Sequence, residues 1–183
     1  MMDTKNNNAV SPVVGVMLML VVTIIIAAVV SAFAGGTIGS FKKVPQATIT
    51  GKFSIDDGFE IMHTGGDGLA TADTIFTIRD GPMFGQNLEQ KTAQVLNKTL
   101  ITNASGQALD RGDGTTLLTA FASGDSFFIS SSNTTCSLLQ PGIASADTSL
   151  CLDNVNNVGK TFSLEVSDSK GNLISKSDVT ITR

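Results

Sequence analysis

The chain opens with a polar stretch and then turns abruptly apolar. From Val10 to Gly36 it reads VSPVVGVMLMLVVTIIIAAVVSAFAGG, with no charge between Pro12 and Gly35 and only Thr23 and Ser31 polar in that interval. About 22 such residues make roughly 33 Å of helix, enough to cross a bilayer core of about 30 Å. Val13, Val14, Val16, Met17, Leu18, Met19 and Leu20 leave no polar stripe. A helix apolar on every side needs apolar surroundings on every side, in lipid or among other helices. Ser11 is placed to cap this helix and Pro12 to occupy its first turn, where a missing N–H costs nothing. Gly35-Gly36 supplies a stop. Gly15, Ala27, Ala28, Ala32 and Ala34 are small enough for close helix approach.

After a short Gly- and Pro-containing stretch, TIGSFKKVP (37–45), the period changes to two. Ala47–Ile55, Gly58–Thr64, Asp73–Asp80, Asp125–Ser130, Lys160–Asp168 and Leu173–Arg183 all alternate apolar with polar positions. Gly, Asp, Asn or Ser bounds each of them, which is the mark of short strands. Asp168-Ser169-Lys170-Gly171-Asn172 reads as a hairpin turn. Six or more short strands without a long amphipathic helix predict an all-β head, an antiparallel, Ig-like β-sandwich or an open barrel, on a single N-terminal apolar helix. Residues 90–122 carry no clear period, and Leu117–Phe121 fits either a short helix or a strand. The expected core is Phe53, Phe59, Ile61, Ile75, Ile78, Phe127, Ile129, Phe162, Leu164, Val166, Val179 and Ile181. The implied organisation is residues 1–9 as a leader, 10–36 as the helix, 37–45 as a linker and 46–183 as the head.

Composition narrows the function. The 183 residues hold 12 Lys and Arg against 16 Asp and Glu, for a net charge of -4. An acidic chain without a basic cluster is a poor partner for nucleic acid, whose phosphates need grouped cations. One His and two separated Cys exclude the usual zinc and haem motifs, and no cofactor is implied. The absence of Trp and Tyr argues against a sugar-stacking face. His63 ends an alternating segment and has no Ser or Cys nucleophile partnered with it in the sequence, so it reads as structural and the chain as no enzyme. Asp56-Asp57, Asp67 and Asp110-Arg111-Gly112-Asp113 read as solvated turns. None has the alternating ligands and distal Glu of a calcium loop.

Three readings fit the apolar segment. A secretory signal peptide would be cut after Ala32-Phe33-Ala34, but its apolar core should be 7–15 residues behind a basic start. A plain membrane anchor is the second. The third rests on the junction Asn8-Ala9-Val10-Ser11, where a polar, a small and an apolar residue lead directly into the helix. This junction, followed by Ser11-Pro12-Val13-Val14-Gly15, resembles the processing site and N-terminal module of archaeal type IV pilins. A weaker likeness to the same family continues in Phe59–Leu69, FEIMHTGGDGL.

The resemblance implies a cut between Ala9 and Val10 by a membrane-embedded prepilin peptidase, with Val10 as the new N-terminus. It implies a membrane-inserted precursor with an external C-terminal domain, held by lipid until a pilus assembly ATPase and its membrane platform feed it into a filament. The partner is then further copies of the same chain in a helical homo-oligomer, serving adhesion or cell aggregation. Bacterial type IV pilins carry Glu at the fifth mature position. Here that position is Val14, so subunit register must come from packing. Lys42 and Lys43 against Lys5 weakly favour a cytoplasmic C-terminus by the positive-inside rule, whereas the features of the downstream domain point the other way. The alternative is a solitary membrane-anchored or secreted β-sandwich binding protein.

In an external domain Cys136 and Cys151 would form a disulfide closing a loop of about 15 residues, worth roughly 3 kcal/mol. In a reducing compartment they would be buried thiols. Asn97, Asn103 and Asn133 each begin an N-x-S/T sequon, which makes them candidate N-glycosylation sites on such a domain.

Overall fold

The computed structural model describes residues 12–36 and 43–183. The chain divides into two compact units, Met1–Lys43 and Val44–Arg183.

In the first unit, helix α1 runs Pro12–Gly36. Pro12 is its first residue, as the missing N–H permits, and it ends at the paired glycines. Neither an acidic first turn nor a basic last turn decorates it. Its one mid-helix threonine is satisfied locally, with Thr23 Oγ1 donating to the Leu20 carbonyl at 2.9 Å. Such back-bonding removes the need for an outside partner in an apolar medium.

The second unit is built almost entirely of strands and short turns. In chain order these are β1 (Ala47–Ser54), β2 (Gly58–Gly66), β3 (Leu69–Ala70), β4 (Thr74–Asp80), β5 (Gln94–Val95), β6 (Thr102–Asn103), β7 (Ala120–Phe121), β8 (Ser126–Ser130), helices α2 (Cys136–Leu139) and α3 (Pro141–Ala144), β9 (Thr161–Asp168) and β10 (Leu173–Thr182). The six alternating segments of the sequence are β1, β2, β4, β8, β9 and β10. The 168–172 turn is present: Asp168 N–H donates to the Asn172 carbonyl at 3.0 Å and its carboxylate collects the N–H groups of Lys170 and Asn172.

An all-β head on one apolar helix is the architecture the sequence predicts. Within that class the main strands form one continuous sheet, in the order β5-β4-β9-β10-β1-β2-β8-β6, with β3 and β7 as a separate pair. The join is β1 against β10, the first and last strands, running parallel through Phe53↔Ile181 and Ser54↔Thr182. Backbone and side chains both hold that seam: Ile55 N–H donates to the Thr182 carbonyl at 3.0 Å, Ile49 N–H to Ser175 Oγ at 3.0 Å, and Thr182 Oγ1 to the Phe53 carbonyl at 2.7 Å.

The sheet has to curl. Eight strands about 4.8 Å apart would set the outer two roughly 34 Å apart if flat. The outer strands are β5 and β6. The seven steps from Val95 to Thr102 span at most about 25 Å. Residues 96–101 therefore bridge the two ends of the sheet, and the concave side closes over the core. Lys98 pins this bridge, its Nζ donating to the carbonyls of Thr71 at 2.7 Å and Ala72 at 3.1 Å.

Two phenylalanine triads fill the concavity. Phe53, Phe59 and Phe162 meet edge-to-face with centroids 5.6–5.8 Å apart. Phe76 stands edge-on to Phe121 and Phe127, which stack at 4.1 Å. Eleven of the twelve expected core residues are buried. Ile75 is the correction, because it is only half-buried while Phe76 is buried. Ile75 and Ile78 are an odd number of residues apart, so alternation sends them to opposite faces, and the inward set is Phe76, Ile78 and Asp80.

Candidate functional site

Every large apolar side chain described on α1 is exposed within its own chain, from 44% at Val22 to 70% at Met19. Pro12–Phe33 forms a 22-residue span of mean hydropathy 3.2, none of it buried by the chain. So much apolar surface, at about 25 cal/mol per Å², is not left in water. The expected cut between Ala9 and Val10, and the Ser11 cap, lie outside the described residues.

The head's own conspicuous motif is His63-Thr64-Gly65-Gly66-Asp67-Gly68-Leu69. The structure gives it a mechanical meaning. Asp67 clasps Gln46, the residue before β1, through two bonds: Gln46 N–H donates to Asp67 Oδ2 at 3.0 Å, and Asp67 N–H donates to the Gln46 carbonyl at 2.7 Å. Gly66 makes the approach possible. It has φ +101°, and a Cβ there would collide with the Gln46 carbonyl oxygen. His63 is buried under the clasp with Nε2 3.0 Å from the Asp67 carbonyl and its ring edge-on to Phe121 at 5.2 Å. A carbonyl only accepts, so Nε2 carries the proton and Nδ1 is the unpaired buried acceptor. Leu69 then drops into the core. The motif thus fixes the chain's entry into the sheet, with His63 buried beneath it.

The other acidic turns are also local devices. Asp57 receives the Ser54 hydroxyl at 3.2 Å, and Asp56 faces Arg183 at 3.7 Å in an exposed ion pair. In the Arg111-Gly112-Asp113 turn, Asp110 accepts from Gly112 N–H at 2.7 Å and Asp113 from Thr115 N–H at 2.8 Å. That bonding with Thr115 holds the Asp113 carboxyl below its ordinary range. On the outer sheet face Glu165 lies between Arg79 at 2.7 Å and Lys176 at 3.0 Å. Burial raises its pKa, but the two cations outweigh it and the net shift is downward.

Cys136 and Cys151 form a disulfide, with Cα atoms 5.4 Å apart. It closes a small lobe, α2 and α3, over Ile143, Ala144 and Leu150. Asp153 lies close to both sulfurs, yet its carboxylate is engaged by Cys136 N–H at 3.0 Å and the sulfurs are bonded to each other. Asn97 and Asn103 sit in turns that use their side-chain oxygens, and Asn133 ends a 3₁₀ turn.

Sequence reasoning missed the buried polar unit that attaches this lobe to the sheet. Gln140 is buried, accepts Leu152 N–H at 2.8 Å on Oε1, and offers Nε2 to Asp80 Oδ1 at 3.5 Å. Asn157 donates to the carbonyls of Ser149 and Cys151 and receives Lys160 Nζ at 2.7 Å. The available signal was Asp80 itself, an acid in the inward phase of β4.

Burial pushes the Asp80 carboxyl up to about 7, with the Gln140 bond and the Lys160 charge pulling the other way. Its Oδ2 has no partner. A carboxyl raised in the folded state favours folding while protonated. That contribution is complete below the unfolded value of 3.8 and is lost as pH rises to about 7. Over that window the head should lose stability. Depressed groups such as Glu165 and Asp168 act oppositely, and only toward acid. Asp80→Asn should therefore raise the melting temperature at pH 8 and leave it nearly unchanged near pH 3, below the unfolded value. Parallel melting curves against pH for the two proteins would contradict this.

Comparison with known proteins bears on the helix. No curated protein matches the chain. Residues 8–49, less than a quarter of the sequence, match the family described as archaeal type IV pilin, N-terminal. The matched segment takes in the apolar helix, with its bare surface, and reaches the first residues of β1. Residues 8–49 are thus similar to the N-terminal segment of archaeal type IV pilins.

Proposed function

We propose that the chain is the structural subunit of a type IV pilus-like surface filament, processed between Ala9 and Val10 and polymerised through α1. The carrying observation is a helix apolar on every side that its own chain leaves uncovered, within a segment matching the pilin N-terminal family. The pilin family is one of structural subunits, so no catalytic role is assigned. In the precursor, lipid surrounds the helix and the head lies outside. A prepilin peptidase removes residues 1–9. A pilus assembly ATPase and membrane platform then transfer the helix from lipid into a bundle of identical helices.

The driving logic is exchange of one dry environment for another. Lipid offers no hydrophobic gain to association, so packing between small residues such as Gly15, Ala27 and Ala28 has to favour the bundle. The 37–45 stretch acts as linker and the 46–183 head as outer sheath. Adhesion or cell aggregation follows from the polymer. Disulfide formation in the head fits an oxidising exterior.

Ala9→Asp tests the junction. A charged side chain where a small one is required should leave full-length precursor in the membrane fraction and remove filaments from the cell surface. Normal filaments from that variant would refute the assigned cut.

A further inference from the structure

We infer that Asp80 works as a proton-operated latch: while its carboxyl is neutral the disulfide lobe, residues 136–157, lies closed on the sheet, and when the carboxyl ionises the lobe and the Asp80 end of β4 open together. The inference goes beyond the proposed function and holds whether or not the chain polymerises.

The lobe is built to move as a piece. Cys136, Ile143 and Cys151, with Ala144 and Leu150 against them, form a hydrophobic cluster apart from the main core. The disulfide ties its two ends together. Asn157 Nδ2 donates to the carbonyls of Ser149 at 2.8 Å and Cys151 at 2.7 Å, so the irregular backbone finds partners within the lobe. Two side-chain bonds tie the lobe to β4 and β5, and both are long. Gln140 Nε2 reaches Asp80 Oδ1 at 3.5 Å, and Gly142 N–H reaches Gln94 Oε1 at 3.4 Å. Leu139 and Leu152 join the main core and keep the lobe shut while the latch is made.

Asp80 has little around it to meet a charge. It belongs to the inward set of β4, is 1% exposed, and its Oδ2 has no partner. From the 88–92 turn, Thr92 Oγ1 accepts the Asp80 N–H at 3.0 Å, while Glu89 and Lys91 on that turn are exposed. From β9, apolar Phe162 stands opposite in register. The lobe offers neutral Gln140, and its two acids are engaged elsewhere, Asp147 by Ser149 N–H and Asp153 by Cys136 N–H. Arg79, next along β4, pairs with Glu165 on the outer face. Lys160 is the cation whose charge reaches Asp80. Its Nζ, however, is bonded to Asn157 Oδ1 at 2.7 Å and stands 4.9 Å from the Phe84 ring centroid.

One long hydrogen bond and one cation held by another residue do not replace the water that a carboxylate loses on burial. In the closed lobe the carboxyl is accordingly pushed up to about 7. In an open lobe it meets water and ionises near its ordinary 3.8. The open form therefore gains on the closed one as pH rises between those two values, by about tenfold per unit, and the gain levels off above the upper one.

Hydrogen exchange on the full chain in detergent, resolved amide by amide and divided by the unprotected rate at each pH, tests the latch. The reporters are the Asp80 N–H and the Leu152 N–H, which is bonded to Gln140 Oε1 at 2.8 Å. Their protection should fall about tenfold per pH unit above about pH 4 and level off near 7. At pH 8 both should exchange at least about tenfold faster than the amides of β1 and β2, the mark of a local opening. In Asp80→Asn the fall should vanish. A parent whose trend matches Asp80→Asn overturns the latch, as do reporters that exchange only at the rate of β1 and β2. Lys160→Met keeps Asp80 and removes the charge that pulls its carboxyl down, so protection should go on falling to higher pH than in the parent. Levelling at the parent's pH also overturns the inference.

Discussion

Val22→Asp is expected to abolish surface filaments. Val22 lies at the middle of the 22-residue span and is the least exposed of its large apolar side chains. A single Asp at the centre of a membrane helix costs about 2.5–3.5 kcal/mol on insertion scales. In a bundle of identical helices the charge would repeat at every subunit with no cation on α1 to meet it. Both environments therefore reject the variant, and filament yield should fall by more than an order of magnitude. Val22→Leu, which keeps the surface apolar, is the matched control and should assemble. Electron microscopy of sheared surface material decides it. Abundant filaments from the aspartate variant would mean that α1 is not the buried element.

The second large effect concerns the head alone. Replacing Cys136 and Cys151 together by Ser opens a loop of 15 residues. The chain-entropy model assigns such a loop about 3 kcal/mol. For a domain of this size each kcal/mol shifts the melting temperature by roughly 3–4 °C, so a fall of about 10 °C is expected. Reduction of the parent protein should reproduce most of it. The lobe would not unfold in isolation, because Gln140 binds both the Leu152 backbone and Asp80. Its loosening should also disturb β4. A double variant that melts with the parent would show the bridge to be energetically idle.

Much of this molecule was legible along its sequence, and the reason is periodicity. The strands β1, β2, β4, β8, β9 and β10 are long enough for alternation to show, and each is buried on one face. Strands of two residues, β3, β5, β6 and β7, carry no period at all. Position in the fold, not local pattern, makes them strands, which is why residues 90–122 stayed undecided. The parallel seam of β1 with β10 joins the first strand of the head to the last, and no local signal encodes a partner so distant. Ile75 shows a different limit: two apolar neighbours, Ile75 and Phe76, both fit a strand, and only one phase also buries Ile78.

Function was legible unevenly. The ordering of Ala9-Val10-Ser11-Pro12 and the apolar run carried the pilin likeness, which the family match over residues 8–49 supports. The HTGGDGL stretch had no chemistry to read because its role is backbone clasping, and only the positive φ at Gly66 and the Gln46 contact reveal it. Gln140 and Asn157 look like ordinary surface residues in sequence. They are buried because their amides satisfy carbonyls and N–H groups in the irregular 140–157 region.

The central claim is that a leader is removed and the exposed apolar helix ends surrounded by copies of itself. N-terminal sequencing of purified surface filaments tests it most directly. The account predicts chains beginning at Val10 in material that sediments as polymer. Chains that start at Met1 or after Ala34, or that occur only as dispersed single molecules, would contradict it.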